Sequence, residues 1–342
     1  MNTDKKPGRL LAGDEEIIAA AYQEFNTLPI DQDLSDQPTH PPRTQQKTIR
    51  ESVSVSGPGT FAGKSTTTIT FEPTDREGWW LDRTDQPDSL PIRVAIDNVW
   101  TTGSVVSNIV LRAGGPHNYV RMVEHIIALR MGLDIDNLMI KIDSGDPPLF
   151  NRGSLDLIEA LERAGRKTVD RPVRYITVKE PVTLGWSNGA FLTLAPHTGT
   201  PPKLTIDTAV NFSNAIGQQR IVFPVNFTNL QTGAEARTNT PYGKMLYCKT
   251  IGKIFADIRN LGYTDQNILI AKKNGYHNQP RLVRGGKSLE AAWHRGVLDL
   301  LAAIALIPDA RFVGEITSYK AGHRLDCDLI TKIHLHDLLK EL

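Results

Sequence analysis

The chain has 342 residues, enough for about two domains of ordinary size. Its 39 basic and 38 acidic side chains nearly cancel, so no net field selects nucleic acid or an anionic membrane surface. The two cysteines, Cys248 and Cys327, form neither a CxxC pair nor a disulfide framework, which suits a reducing cytoplasm, and no apolar run of about 18 residues is present to span a bilayer.

At the N-terminus, "LLAGDEEIIAAAYQEF" reads as a short amphipathic helix without an apolar signal core. The stretch after it, "NTLPIDQDLSDQPTHPPRTQQK", is rich in Pro, Asp and Gln. Residues 1–46 are therefore expected to form an extension, partly disordered or draped over the body. From Thr48, "TIRESVSVSG", "STTTITFEP" and "PIRVAIDNV" alternate apolar and polar positions as strands do. The helix "YVRMVEHIIALRMGL", the strand "NLMIKID", the loop "SGDPPLFNRGS" and the helix "LDLIEALERAG" complete a first α+β unit, 47–170. Alternation then restarts with "RYITVKEPVTLG", "AFLTLAP", "KLTIDTAVNF" and "RIVFPVNF". The helix "PYGKMLYCKTIGKIFADIRNLG", the strand "ILIA", a long helix over "KSLEAAWHRGVLDLLAAIALIP", the strand "RFVGEITSY" and a terminal helix "LDCDLITKIHLHDLLKEL" close a second unit, 171–342. Both halves run sheet, helix, strand, helix, so each is expected to be a two-layer α+β unit.

Five stretches invite a chemical reading. In "SGPGTFAGKST" a phosphate-binding loop would need glycine at Pro58 and a helix afterwards, whereas a strand follows, so a glycine-rich β-turn is expected. In "VEHIIAL", Glu124 and His125 sit on an otherwise apolar helix, where a carboxylate is costly unless it has a partner or a task, such as general base to a metal-bound water. In "WHRGVLD", His294 and Asp299 are five residues apart, about 140° apart on an ideal helix at roughly 100° per residue. A π-bulge at Gly296 would return both to one face, and His125, His294 and Asp299 would then suffice as protein ligands for zinc. "SYKAGHRLD" adds His323 after a glycine turn, placed to act as general acid or to stabilise an oxyanion, and "ARTNTPYG" offers Thr238 as an oxyanion donor. Spacing alone leaves ordinary readings open: His125 as a core histidine, Asp299 in a solvent network, His323 capping the final helix.

In this order, "VEHIIALRMGLDIDNLMIKID", "ART" at Ala236, "HRGVLD" and "SYKAGH" resemble the zinc-dependent UDP-3-O-acyl-N-acetylglucosamine deacetylases of lipid A synthesis over about residues 47 to 340. The resemblance implies two β-α-α-β sandwiches facing each other across the active site. It implies Glu124 as general base, His125, His294 and Asp299 as zinc ligands, Thr238 as oxyanion threonine and His323 as second catalytic histidine. The reaction implied is attack of water on an acetamide carbonyl of an acylated amino-sugar nucleotide, releasing acetate and an amine.

The departures from that pattern are specific. One residue is added between His294 and Asp299, Phe61 replaces a histidine in the glycine-rich turn, and "PLFNRGS" replaces P-I-M-D-G-S. Arg295 stands for a lysine and Asn239 for an aromatic at positions that imply substrate contacts. Two readings of different class follow: a metal-dependent deacetylase, or a non-catalytic paralogue serving as a binding or regulatory module, for which a straight helix would aim Leu298 rather than Asp299 at the metal. Histidine and carboxylate ligands suit Fe2+ as well as Zn2+.

Overall fold

The computed structural model describes residues 4–39, 42–103, 107–249 and 262–342. In the first half, a five-stranded sheet runs Val53–Pro58, Thr66–Glu72, Leu138–Ile142, Trp79–Arg83, Ile92–Arg93. Its sidedness follows the period-two pattern: Thr67, Ile69 and Phe71 are buried, while Ser54–Thr70 and Ser56–Thr68 hydroxyl pairs line the wet face. In the second half, the strands Val182–Gly185, Phe191–Pro196, Gly314–Tyr319, Leu204–Asn211 and Gln218–Pro224 form the body of a seven-stranded sheet.

The two sheets share one device. In the first, Leu138–Ile142 enters between Thr66–Glu72, antiparallel, and Trp79–Arg83, parallel. In the second, Gly314–Tyr319 enters between Phe191–Pro196, antiparallel, and Leu204–Asn211, parallel. Helices from the two halves pack on each other: Glu124–Ile127 and Leu129–Gly132 lie against Leu300–Ala305. Ile126, Ile127 and Leu129 thereby join Leu300, Leu301 and Ile304 in one contiguous apolar cluster. The result is a mixed α/β molecule in which helices from the two halves share one apolar cluster.

Several elements differ from the sequence reading. The segment expected as an extension, partly disordered or draped over the body, does lie on the body, but as part of its sheet: it supplies both edge strands of the larger sheet, Arg9–Ala12 on Val182–Gly185 and Gln32–Asp33 on Gln218–Pro224. The helix expected over "YVRMVEHIIALRMGL" begins only at Glu124, because Tyr119–Val120 pairs as a strand and Met122 takes a left-handed φ of 54°. The terminal helix spans His323–Leu335 and is followed by a strand, Leu339–Glu341, on Tyr175–Val178. Of the helix read over 241–262, Tyr242–Lys249 is helical and 250–261 lie outside the described residues. No helix among the described residues is long and apolar enough to cross a membrane.

Candidate functional site

The long helix of the second half is α-helical over Glu290–Trp293 and Leu300–Ala305, and winds as a π-helix over His294–Asp299 between them. The wider turn sets His294 and Asp299 side by side, with Nδ1 to Oδ1 3.3 Å. Close packing explains the glycine within it: a Cβ on Gly296 would stand 2.8 Å from the Phe223 ring. Gly233, on the facing helix Phe227–Ala234, leaves room in the same way for Val297.

Glu124 and His125 arrive from the first half, on the helix that follows left-handed Met122. The Ile109 backbone N–H donates to Glu124 Oε2 at 3.0 Å, and Ser154 Oγ donates to the His125 carbonyl at 2.9 Å. Thr238 Oγ1 lies 3.0 Å from His294 Nε2 and 3.4 Å from His125 Nε2. His323, first residue of its helix, brings Nε2 to 3.4 Å from Asp299 Oδ1 and 3.9 Å from Glu124 Oε1. Six residues spread over 200 positions of chain thus meet in one cluster (124 to 323).

The cluster is electrostatically divided. Burial raises the Glu124 carboxyl above its ordinary value, against the opposing influence of His323 and the Ile109 N–H. Burial pushes the His125 imidazole down to about 3, with His294 adding to the effect, so it stays neutral and its lone pair remains available. Burial also opposes charge on Asp299, but the imidazoles of His323 and His294 and the Arg295 guanidinium outweigh it and hold this carboxyl well below the usual range. Two buried atoms, Asp299 Oδ1 and His323 Nδ1, have no hydrogen-bond partner among the described residues.

Arg295 does not stand where a substrate-contacting residue would. Its side chain is buried, with Nη1 and Nη2 each 2.5 Å from an oxygen of fully buried Asp326, Nε and Nη2 on Ser318 Oγ, and Nη1 3.6 Å from Asp299 Oδ2. The physical reason is that a buried guanidinium must spend its donors on carboxylates and hydroxyls nearby, leaving none for a ligand. Asn239 is half-buried in the strand Thr238–Pro241, where alternation sends it to the opposite face from Thr238.

Other contributors escaped the sequence reading. Arg237 makes a buried ion pair with Glu290, 2.7 Å, while its own backbone N–H donates to the same carboxylate, so the residue before Thr238 is fixed to the helix that leads into His294. Asp326 joins the helix of His323 to the π-turn through Arg295. For Glu290 and Asp326 the signal available was a charged residue among the buried positions of a helix, and for Arg237 there was none, since it lies in the loop before Thr238; no spacing told which partner each would find.

Among the described residues, no three His, Cys, Asp or Glu side chains form a group that could hold a metal ion as they stand. The donor chemistry nonetheless fits a divalent cation: two neighbouring imidazoles and a buried carboxylate whose Oδ1 lacks a hydrogen bond.

The family model for UDP-3-O-acyl N-acetylglycosamine deacetylase matches residues 46–335. A UDP-3-O-acyl-N-acetylglucosamine deacetylase of Bdellovibrio bacteriovorus is 30% identical over 84% of this chain and 89% of its own length. Enzymes of the same description from Brucella ovis and Brucella abortus are 27% identical over 83% of this chain and 93% of theirs.

Proposed function

Since the chain belongs to the UDP-3-O-acyl N-acetylglycosamine deacetylase family, we propose that it hydrolyses the acetamide of a UDP-linked 3-O-acyl-N-acetylglucosamine or a related N-acetyl amino sugar. The observation that carries the reading is the π-turn, which puts Asp299 rather than Leu298 beside His294 and so supports a working site over a disabled one. In this reading the two halves, 47–170 and 171–342, are two β-α-α-β sandwiches facing each other across the cluster. The place of work is the cytoplasm, with the nucleotide sugar as partner and no nucleic acid.

His125, His294 and Asp299 would hold Zn2+, or Fe2+, which when bound polarises a carbonyl and acidifies water. Glu124, held through Oε2 by the Ile109 N–H, keeps Oε1 free to take a proton from the attacking water. Thr238 Oγ1 donates to the oxyanion that forms on the former carbonyl, and His323 either supports that charge or returns a proton to the nitrogen as the C–N bond breaks. Acetate and a free amine leave. Arg295 and Asn239 take no part in substrate contact in this account; Arg295 steadies Asp299 instead.

The test is elemental analysis of untagged protein, with His294→Ala and Asp299→Ala alongside, and acetate release from UDP-3-O-acyl-N-acetylglucosamine. The expected result is about one zinc or iron ion per chain, lost in both variants together with acetate release. Protein that takes up no ion on reconstitution and releases no acetate would overturn the proposal.

A further inference from the structure

The family match begins at residue 46, yet the chain before it is tied into the molecule beside the site. Between its two edge strands, the helix Glu15–Thr27 is capped by Asp14, whose side chain accepts from the Ile17 N–H, and buries Ile18, Tyr22 and Phe25. Tyr22 stacks on Phe191 at 4.0 Å, and Phe25 meets Tyr319 edge-on at 5.8 Å. Arg220 fastens the helix end by donating to the Phe25 and Leu28 carbonyls.

Two polar contacts reach the residues that present the site. Glu24 accepts from Tyr319 Oη at 2.5 Å and from Lys320 Nζ at 2.9 Å. Lys320 begins the turn Lys320-Ala321-Gly322 that ends at His323, and its φ is 52°. A lysine holds a left-handed conformation only where its surroundings over-determine it, and here a carboxylate from the N-terminal segment grips both it and its neighbour. On the other flank, Gln32 Oε1 accepts from the indole N–H of Trp293, the residue directly before His294.

We infer that the N-terminal segment 9–33 is a positioning element of the site: Glu24 sets the turn that brings His323 to Asp299 and Glu124, and Gln32 steadies the entry to the π-turn. For what His323 does there, the inference rests on the deacetylase reading. Neither Glu24 nor Gln32 touches the reacting atoms.

The test uses the full chain with Glu24→Gln and, separately, Gln32→Ala. Hydrogen exchange at the backbone amides of 320–324 requires no turnover, so it judges the positioning role apart from the reaction. Glu24→Gln is expected to speed exchange there about fivefold, as loss of a charge-assisted bond would. It is also expected to lower kcat about fivefold with KM within about twofold and the melting temperature nearly unchanged, since a positioning loss leaves ground-state binding intact. Gln32→Ala is expected to lower kcat with KM unchanged while exchange at 320–324 stays at the wild-type rate. Unchanged exchange and kcat in Glu24→Gln would overturn the inference; a rise in KM alone would make Lys320 a substrate contact instead, and a rise in kcat would make the segment a restraint. If the wild type releases no acetate while exchange still quickens in Glu24→Gln, the positioning role stands and the deacetylase reading falls.

Discussion

Arg295 shows how far one residue can depart from what its place in a motif implies. Its neighbour His294 faces the cluster, and one step along the π-turn the guanidinium points inward onto Asp326. A buried pair of this kind contributes little net stability, because desolvation offsets attraction, but removing one partner leaves a naked charge and costs about 3–5 kcal/mol. Urea unfolding of Arg295→Met should show a loss of that size, and the double variant Arg295→Met, Asp326→Leu should recover most of it; a single variant as stable as wild type would mean that Asp326 does not depend on Arg295 as its partner. Arg295→Lys should not rescue, since an ammonium cannot span both carboxylate oxygens. None of this was legible from residue type: the sequence shows an arginine beside a histidine, and only the direction of the side chain, set by the turn, tells substrate contact from internal strut.

At the scale of elements, the five-residue spacing of His294 and Asp299 was the most informative signal in the chain, and the π-helix His294–Asp299 bears it out. A π-turn persists where packing favours it over the α-helix on both sides, and Gly296 against Phe223 with Val297 against Gly233 is that packing. Gly296→Ala sets two effects in opposition. Helix propensity favours alanine by about 1 kcal/mol, whereas a Cβ forced against a buried aromatic ring costs about 1–3 kcal/mol. Since the Cβ would meet both Phe223 and Thr208, the steric cost should win, and chemical denaturation should find the variant destabilised and, by elemental analysis, poorer in metal. A variant more stable than wild type with full metal content would show that the turn does not depend on the glycine. The short strands Arg9–Ala12, Gln32–Asp33 and Leu339–Glu341 were missed because so few residues show no period; each exists only because a partner strand offers an unpaired edge.

Across the whole molecule, guanidiniums staple the halves together. Arg130 donates to the Ala305, Ile307 and Ala310 carbonyls, and Arg311 and Arg43 converge on buried Asp136. Burial opposes the Asp136 charge, but Arg311 and Arg43 outweigh it and hold the carboxyl down at about 2. A depressed folded value means a stability contribution of about 2 kcal/mol that is complete above the unfolded value, near pH 4, and lost as pH falls through about 2. Asp136→Asn should therefore be less stable than wild type at pH 7, with the gap narrowing on acidification through that window; a gap independent of pH would show that Asp136 is not the charge the two arginines need. The sequence by itself determined the sheet-then-helices order of each half, the residue types of the cluster and the choice between a π-turn and a straight helix that only the structure resolved, because hydrophobic period, spacing and residue chemistry are local quantities. Tertiary structure alone decided that Arg295 turns inward, that Arg237 and Glu290 carry Thr238 to the imidazoles, and that the N-terminal segment reaches Lys320. Each of those depends on which distant charge or strand edge is left unpaired when the halves close, and no local pattern encodes that.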